Sequence, residues 1–119
     1  MITKVSSILR QKSIHEVLSV KPETPVIEAL EVMSKYNIGA LLVIENEELK
    51  GIFSERDYAR KGIIQGRKAK STPMSDVMTK NVFTVKADMN IKDCMQLMSD
   101  KHFRHLPVMD ENNKAIGVL

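Results

Sequence analysis

The sequence predicts an α/β (α+β) protein made of two copies of one β-α-β-β-α unit, the second copy without its last helix. Two observations support this fold class. Residues 20–44 align with residues 85–109 at a constant offset of 65, without a gap. In both copies, apolar residues at helical spacing are followed by two short β-prone runs around a polar turn. Self-similarity at a fixed period indicates a repeat architecture.

The first helix of each copy is predicted from an apolar stripe at i, i+3, i+4 and i+7 spacing. The stripes consist of Val26, Ala29, Leu30 and Met33 in the first copy and of Ile91, Cys94, Met95 and Met98 in the second. We expect Thr24 to cap the first helix and Pro25 to lie in its first turn. Because Cys94 falls on the stripe, we expect it to be a core residue.

Two strands follow each of these helices. They are "ALLVI" and "KGIF" in the first copy and "HLPVM" and "IGVL" in the second, and one extra residue in the second turn brings Gly51 onto Gly117. After "GIF" the first copy continues into "SERDYARKGIIQG", which predicts a helix opened by Ser54 and ended near residues 62–66. The sequence ends at Leu119, so we expect the second copy to lack this helix.

The bulk composition is that of a soluble globular protein. The chain has 119 residues, 43% of them hydrophobic, and no apolar run approaches the ~18 residues of a membrane helix. With one cysteine and no signal peptide, the sequence predicts a cytoplasmic protein without a membrane partner. The net charge is +3, but residues 55–70 carry +4 and the remainder −1. This placement favours a local anionic partner over broad nucleic-acid coating.

The repeat and the motif "GIFSERD" resemble the cystathionine β-synthase (CBS) domain family, arranged as a tandem pair. The motif matches the family's glycine, apolar pair, Ser/Thr, two variable residues and Asp. The resemblance covers residues 13–119. It implies two repeats packed by their sheets about a pseudo-two-fold axis, nucleotide clefts between them, and frequent pairing into a homodimer. The predicted organisation is an N-terminal segment at 1–12, CBS repeat 1 at 13–66, a linker at 67–76 and CBS repeat 2 at 77–119.

The SERD stretch offers the polar groups that an adenine nucleotide needs. Asp57 can accept two hydrogen bonds from the adjacent hydroxyls of a ribose. Ser54 can either cap the helix or donate to an α-phosphate. On its own, "SERD" is equally typical of a plain helix start, with a capping serine and acids in the first turn. The repeat and its family context favour ribose binding.

The family further implies that residues of repeat 2 reach the nucleotide held by repeat 1. By this resemblance Phe103 and Arg104 face the Asp57 site, with Arg104 on a phosphate, and His105 points toward the second cleft. The alternatives are a solvated Arg104 and a partly buried, hydrogen-bonded His105. Repeat 1 carries no charge at the equivalent positions 38–40, and the sequence ends before repeat 2 would supply its own Asp. We therefore expect two chemically unequal clefts.

The remaining candidate residues surround the base and the phosphates. Ile52 is expected to pack on the base from below. The family commonly lines the base at the positions of Val77, Met78, Thr79 and Val82. Thr72 and Pro73 could close the slot from the linker, and three cations of the basic helix could meet phosphate: Arg56, Arg60 and Lys61.

The sequence predicts a regulatory ligand-binding module and not an enzyme. His15, His102 and His105 lack metal-ligand spacing, and no phosphate-cradling "GxxxxGK[ST]" motif is present. We expect AMP, ADP, ATP or S-adenosylmethionine as the ligand, no required cofactor, and a regulated protein as the recipient of the signal. The alternatives are a structural dimerisation module and a nucleic-acid binder. The second has little support because Tyr58 is the only aromatic residue in the basic segment.

Overall fold

In a computed structural model of the chain, residues 3–6 and 18–119 are described, and they divide into two compact units. One unit comprises residues 18–81, and the other comprises residues 3–6 and 82–119. Each unit contains a three-stranded sheet. The mixed α+β fold class is therefore confirmed. The repeat and linker boundaries were drawn from the sequence pattern and stay a prediction, and His15 lies outside the described residues.

The 18–81 unit follows the predicted order of elements. It contains β1 (Ser19–Val20), α1 (Val26–Tyr36), β2 (Ala40–Glu45), β3 (Glu48–Ser54), α2 (Glu55–Asp57), a π-helical continuation (Tyr58–Ile63) and a 3-10 turn (Met74–Asp76). Strand β2 is central, parallel to β1 and antiparallel to β3. The predicted helix opened by Ser54 is thus present and runs over residues 55–63.

The second unit repeats this order up to its last strand. It contains β4 (Val85–Lys86), α3 (Ile91–Lys101), β5 (Pro107–Met109) and β6 (Ala115–Val118). Strand β5 is central, parallel to β4 and antiparallel to β6. Strand β6 is the last element in the described residues.

Strand register confirms the sequence repeat residue by residue. Val43 pairs with Gly51 across the β2–β3 ladder, and Val108 pairs with Gly117 across the β5–β6 ladder. The register shifts directly after Val43 in the first ladder and directly after Val108 in the second. The helices α1 and α3 also end alike, each with a left-handed residue 65 positions apart, Asn37 at φ 53° and His102 at φ 58°. The offset and the single inserted residue both hold in three dimensions.

The helix stripes form the cores, with one exception. In the 18–81 unit Val26, Ala29 and Met33 are buried around the fully buried Phe53, and Leu30 packs against them. In the other unit Cys94 is fully buried, as predicted, whereas the side chain of Met95 is 63% exposed. The core prediction for Met95 was wrong because the buried face of α3 is centred on Cys94, about 100° away around the helix. Leu97, at the opposite edge of that face, packs against the core instead.

Burial also controls the chemistry of the one cysteine. Desolvation raises the pKa of the Cys94 thiol, and the neighbouring Asp93 carboxylate raises it further. A thiol in this environment stays protonated and unreactive at neutral pH. Cys94 is therefore a packing residue of α3.

The predicted cap of α1 is wrong. Thr24 Oγ1 accepts a hydrogen bond from the backbone N–H of Lys21 at 3.0 Å and serves the preceding turn. Pro25 occupies the cap position with extended backbone, and no side chain caps the helix. Proline has no N–H to satisfy, and its fixed φ suits the entry to a helix, so α1 begins without a polar cap.

The helix start is instead completed by a distant segment. The Thr72 carbonyl accepts from the backbone N–H of Val26 at 2.8 Å, and the Thr24 carbonyl accepts from Met74 N–H at 2.9 Å. The first N–H groups of a helix have no partner within it, so Thr72 satisfies one of them. The segment 72–74, predicted to be linker, is packed onto α1.

The other unit makes the same bonds with the N-terminal residues. The Thr3 carbonyl accepts from the backbone N–H of Ile91 at 2.7 Å, and the Met89 carbonyl accepts from Val5 N–H at 2.9 Å. Thr3 and Thr72 thus play equivalent parts, each supplied from outside the repeat that it completes. The structure reveals this equivalence, which the alignment at an offset of 65 does not contain.

Candidate functional site

The first part of the site is the junction of β3 and α2. Ser54 N–H donates to Asp57 Oδ2 at 2.9 Å, and Asp57 N–H donates to Ser54 Oγ at 3.2 Å. This reciprocal pair is a capping box, which satisfies two backbone donors at the helix start. The Ser54 hydroxyl also donates to Asp57 Oδ2 at 3.1 Å. The predicted capping role of Ser54 is confirmed, and Oδ2 of Asp57 is held by two donors.

The second oxygen of Asp57 faces a returning segment of the chain. The Thr79 hydroxyl donates to Asp57 Oδ1 at 3.0 Å, and Lys61 Nζ lies 3.6 Å from the same oxygen. Lys61 Nζ also donates to the Met78 carbonyl at 3.3 Å. The Asp57 side chain is only 14% exposed. A carboxylate buried to this degree is stable because hydrogen bonds and a cation compensate its charge.

Thr79 is brought to Asp57 by a short backbone bridge to β3. Ile52 N–H donates to the Thr79 carbonyl at 3.0 Å, and Thr79 N–H donates to the Ile52 carbonyl at 2.8 Å. The close approach depends on Gly51, because a Cβ there would lie 2.6 Å from the Thr79 carbonyl oxygen. The glycine of "GIFSERD" therefore makes room for the segment that carries Thr79.

Six of the predicted residues gather around this junction. They are Ser54, Asp57, Ile52, Met78, Thr79 and Lys61, joined by the backbone bridge and the hydrogen bonds described above. Ile52 and Met78 are each 8% exposed and provide apolar surface beside the polar cluster. This combination of a held carboxylate, a hydroxyl, a cation and apolar side chains suits a ligand with both a diol and a flat apolar ring.

The remaining candidates of the 18–81 unit lie in different environments. Val77 is fully buried in the core, and Thr72 is 7% exposed. Pro73 is half-buried, whereas Arg56 and Arg60 are exposed along the helix. A role of the two arginines at phosphate stays a prediction.

Four candidates belong to the other unit. Phe103 packs against its core, with its ring centroid 5.3 Å from that of Phe83. Arg104 is exposed, while His105 and Val82 are half-buried. That Phe103 and Arg104 face the Asp57 site, and that His105 faces the second cleft, stay predictions.

The tie between Lys61 and Asp57 is a feature that the sequence analysis missed. The two residues stand four apart on one helical segment, a spacing at which opposite charges meet on a helix surface. That spacing was available in the sequence. The contact of Thr79 with Asp57 carried no comparable signal, since 22 residues separate the two in the chain.

A family model of the CBS domain matches residues 5–63 and 74–119. This chain belongs to the CBS domain family. The resemblance that the repeat and the "GIFSERD" motif predicted is confirmed, and the two matched segments together cover most of the chain.

Curated relatives of this CBS pair cover a similar region. The CBS domain-containing protein CBSX3, mitochondrial, of Arabidopsis thaliana is 43% identical over 99 residues, which cover 79% of this chain and 48% of the plant protein. The CBS domain-containing protein YhcV of Bacillus subtilis is 37% identical over 104 residues, or 87% of this chain and 73% of the relative. This chain therefore spans about half the length of the plant relative.

Solved structures show the same fold. The CBS domain of NE2398 matches with a TM-score of 0.92 and 38% identity, over 100% of this chain and 91% of that chain. The CBS domain pair of MJ0100, crystallised in complex with 5′-methylthioadenosine and S-adenosyl-L-methionine, matches with a TM-score of 0.86 and 26% identity. That match covers 100% of this chain and 90% of the MJ0100 chain.

Three further observations concern other kinds of site. Within residues 3–6 and 18–119, no three His, Cys, Asp or Glu side chains are grouped so that they could hold a metal ion. Across the same residues, no helix is long and apolar enough to cross a membrane. An open cavity of about 680 Å³ in the other unit lies between Lys86 and the β5–β6 turn. Two of its lining residues are hydrogen-bonded to each other, since Lys86 Nζ donates to the Asp110 carbonyl at 3.1 Å.

Proposed function

We propose that this CBS pair is a regulatory module that binds an adenosyl ligand, with the ribose diol on the Asp57 carboxylate. The ligand is AMP, ADP, ATP or S-adenosylmethionine. The observation that carries this proposal is the Asp57 environment. A carboxylate that is 14% exposed stands in α2, directly after β3, near the apolar side chains of Ile52 and Met78.

The chemistry of the carboxylate suits a diol. Two adjacent hydroxyls can donate to one carboxylate, and a hydrogen bond to a charged group contributes about 1.5–3 kcal/mol. Oδ2 of Asp57 already accepts from two Ser54 donors, so the ribose has to share or replace the contacts at Oδ1. Those contacts are the hydrogen bond from the Thr79 hydroxyl and the ion pair with the Lys61 ammonium. Ligand binding thereby acts on the segment that carries Thr79.

Replacement of the Thr79 hydroxyl by a ribose hydroxyl at Asp57 Oδ1 gives the module a means of signalling. Thr79 is fixed to β3 by two backbone hydrogen bonds and to Asp57 by its hydroxyl. A ligand that replaces the hydroxyl contact favours any arrangement in which Thr79 has moved, and shifts the equilibrium by its difference in affinity for the two arrangements. We propose that a regulated protein, or the interface of a homodimer, reads this shift in the cytoplasm.

A related structure supports the ligand class. The CBS pair of MJ0100 holds two adenosyl ligands in its crystal structure, and this chain shares its fold along its whole length. Both of those ligands contain the ribose diol that Asp57 is proposed to bind. The proposal extends this chemistry to the present chain through the side chains of the Asp57 junction.

Titration calorimetry of the chain with AMP, ATP and S-adenosylmethionine tests the proposal. We expect saturable binding that Asp57→Asn weakens at least about tenfold, because one charge-assisted hydrogen bond is worth that factor. Glu55→Gln is the matched control, since Glu55 is an exposed acid in the same helical turn. Equal affinities of the two variants, or no binding to the folded chain, contradict the proposal.

A further inference from the structure

The Lys61 ammonium lies beside the Asp57 carboxylate, where its charge can act on a bound ligand. Its ammonium lies 3.6 Å from Asp57 Oδ1, 3.3 Å from the Met78 carbonyl and 3.4 Å from Thr79 Oγ1. Three contacts thus hold one cation over the carboxylate that is proposed to bind ribose. The Lys61 side chain is 42% exposed, so it also retains freedom to follow a ligand.

The pair of Asp57 and Lys61 makes the proposed ribose site electrically neutral. Without the lysine, the carboxylate would confront a bound nucleotide as an uncompensated negative charge only a few ångströms from the ribose. A phosphate on that ribose would be repelled, whereas a sulfonium would be attracted. An uncharged nucleoside would reach Oδ1 more easily because the Lys61 ammonium beside that oxygen is gone, and only the Thr79 hydroxyl still competes for it.

We propose that Lys61 determines ligand specificity by charge, so that the site prefers phosphate-bearing adenosyl ligands to neutral or cationic ones. This inference rests on the proposed function of Asp57. It selects among the ligands that share the adenosine group, which Asp57 alone cannot distinguish. The lysine offers its charge to the phosphate at the same time as it yields Oδ1 to the ribose.

The experiment compares the affinities of AMP, adenosine and S-adenosylmethionine for the unaltered chain and for Lys61→Gln, by calorimetry at low ionic strength. The measured quantity is the preference for AMP, taken as the ratio of the adenosine dissociation constant to that of AMP. We expect Lys61→Gln to lower this ratio about fivefold to tenfold. The effect is smaller than for a buried lysine because solvent and salt screen the exposed charge. The preference for AMP over S-adenosylmethionine should fall by a larger factor.

Two further variants separate the local effect from a general one. Lys61→Arg retains the charge and should keep most of the preference. Lys70→Gln removes one charge from an exposed position of the same basic segment and should leave the preference unchanged. An unchanged ratio in Lys61→Gln, or an equal fall in Lys70→Gln, overturns the inference while Asp57-dependent binding still stands. Absence of binding by all three ligands overturns the proposed function, and this inference with it.

Discussion

Replacing Phe53 with Ala is expected to lower the free energy of unfolding by about 3–5 kcal/mol. Phe53 is fully buried in β3, pairs in register with Leu41 of β2, and is packed in the core with Val26 and Met33 of α1. Truncation leaves a cavity between the sheet and the helix that neighbouring aliphatic side chains can fill only in part. Urea denaturation followed by circular dichroism measures the loss.

Phe83→Ala is the matched control for this substitution. The Phe83 side chain is 45% exposed, and its described aromatic contact is the tilted pair with Phe103. The Lys101 ammonium also lies 5.5 Å from the centroid of the Phe83 ring. Because the ring is only partly buried, its loss is expected to cost about 1–2.5 kcal/mol, less than the loss of Phe53. Similar losses for Phe53→Ala and Phe83→Ala would show that β3 does not form the centre of its core.

The second large effect is expected from Gly51→Ala. The new Cβ would lie 2.6 Å from the Thr79 carbonyl oxygen, a backbone atom that cannot rotate away. Relief requires the bridge between Ile52 and Thr79 to open, and overpacking of this kind costs about 1–3 kcal/mol. The same Cβ would lie 3.1 Å from Met78 Sδ, so the substitution also displaces an apolar side chain that is proposed to line the base. We therefore expect adenosyl-ligand affinity to fall together with stability. Urea denaturation and calorimetry on the same samples measure both quantities.

Gly66→Ala provides the comparison for Gly51→Ala. Gly66 has a φ of 75° and open space around the added Cβ, so alanine strains only its own backbone. We expect a stability loss of about 1–2 kcal/mol from the left-handed conformation, with no change in ligand affinity. If Gly66→Ala weakens the ligand as strongly as Gly51→Ala does, the close contact with Thr79 is not what positions the site.

Much of the fold could be predicted because the two copies share the same pattern of apolar residues and turns. The alignment of Val20 with Val85 and of Gly51 with Gly117 anticipated that the two copies contain equivalent strands, and these strands pair in equivalent registers. The predictions for Thr24 and Met95 failed for local reasons. A threonine hydroxyl can serve a turn as well as a helix, and an apolar residue at the edge of a helix face can remain in solvent.

The site was predictable to the extent that it is local. Ser54 and Asp57 lie three residues apart, so a capping serine and a first-turn acid could be inferred from "SERD" alone. The contact with Thr79 depends on the path by which residues 72–79 return to β3, which no local spacing encodes. The role of Thr72 at the start of α1 was hidden for the same reason.

The central claim is that an adenosyl ligand binds at Asp57, and a two-dimensional ¹H–¹⁵N NMR titration with AMP tests it most directly. We predict saturable shifts that are largest at the backbone amides of Ser54, Asp57 and Thr79, which surround the carboxylate that the ribose is proposed to bind. Small shifts are predicted around the cavity beside Lys86. Shifts centred on that cavity, with the Asp57 and Thr79 amides unmoved at saturation, would contradict the account.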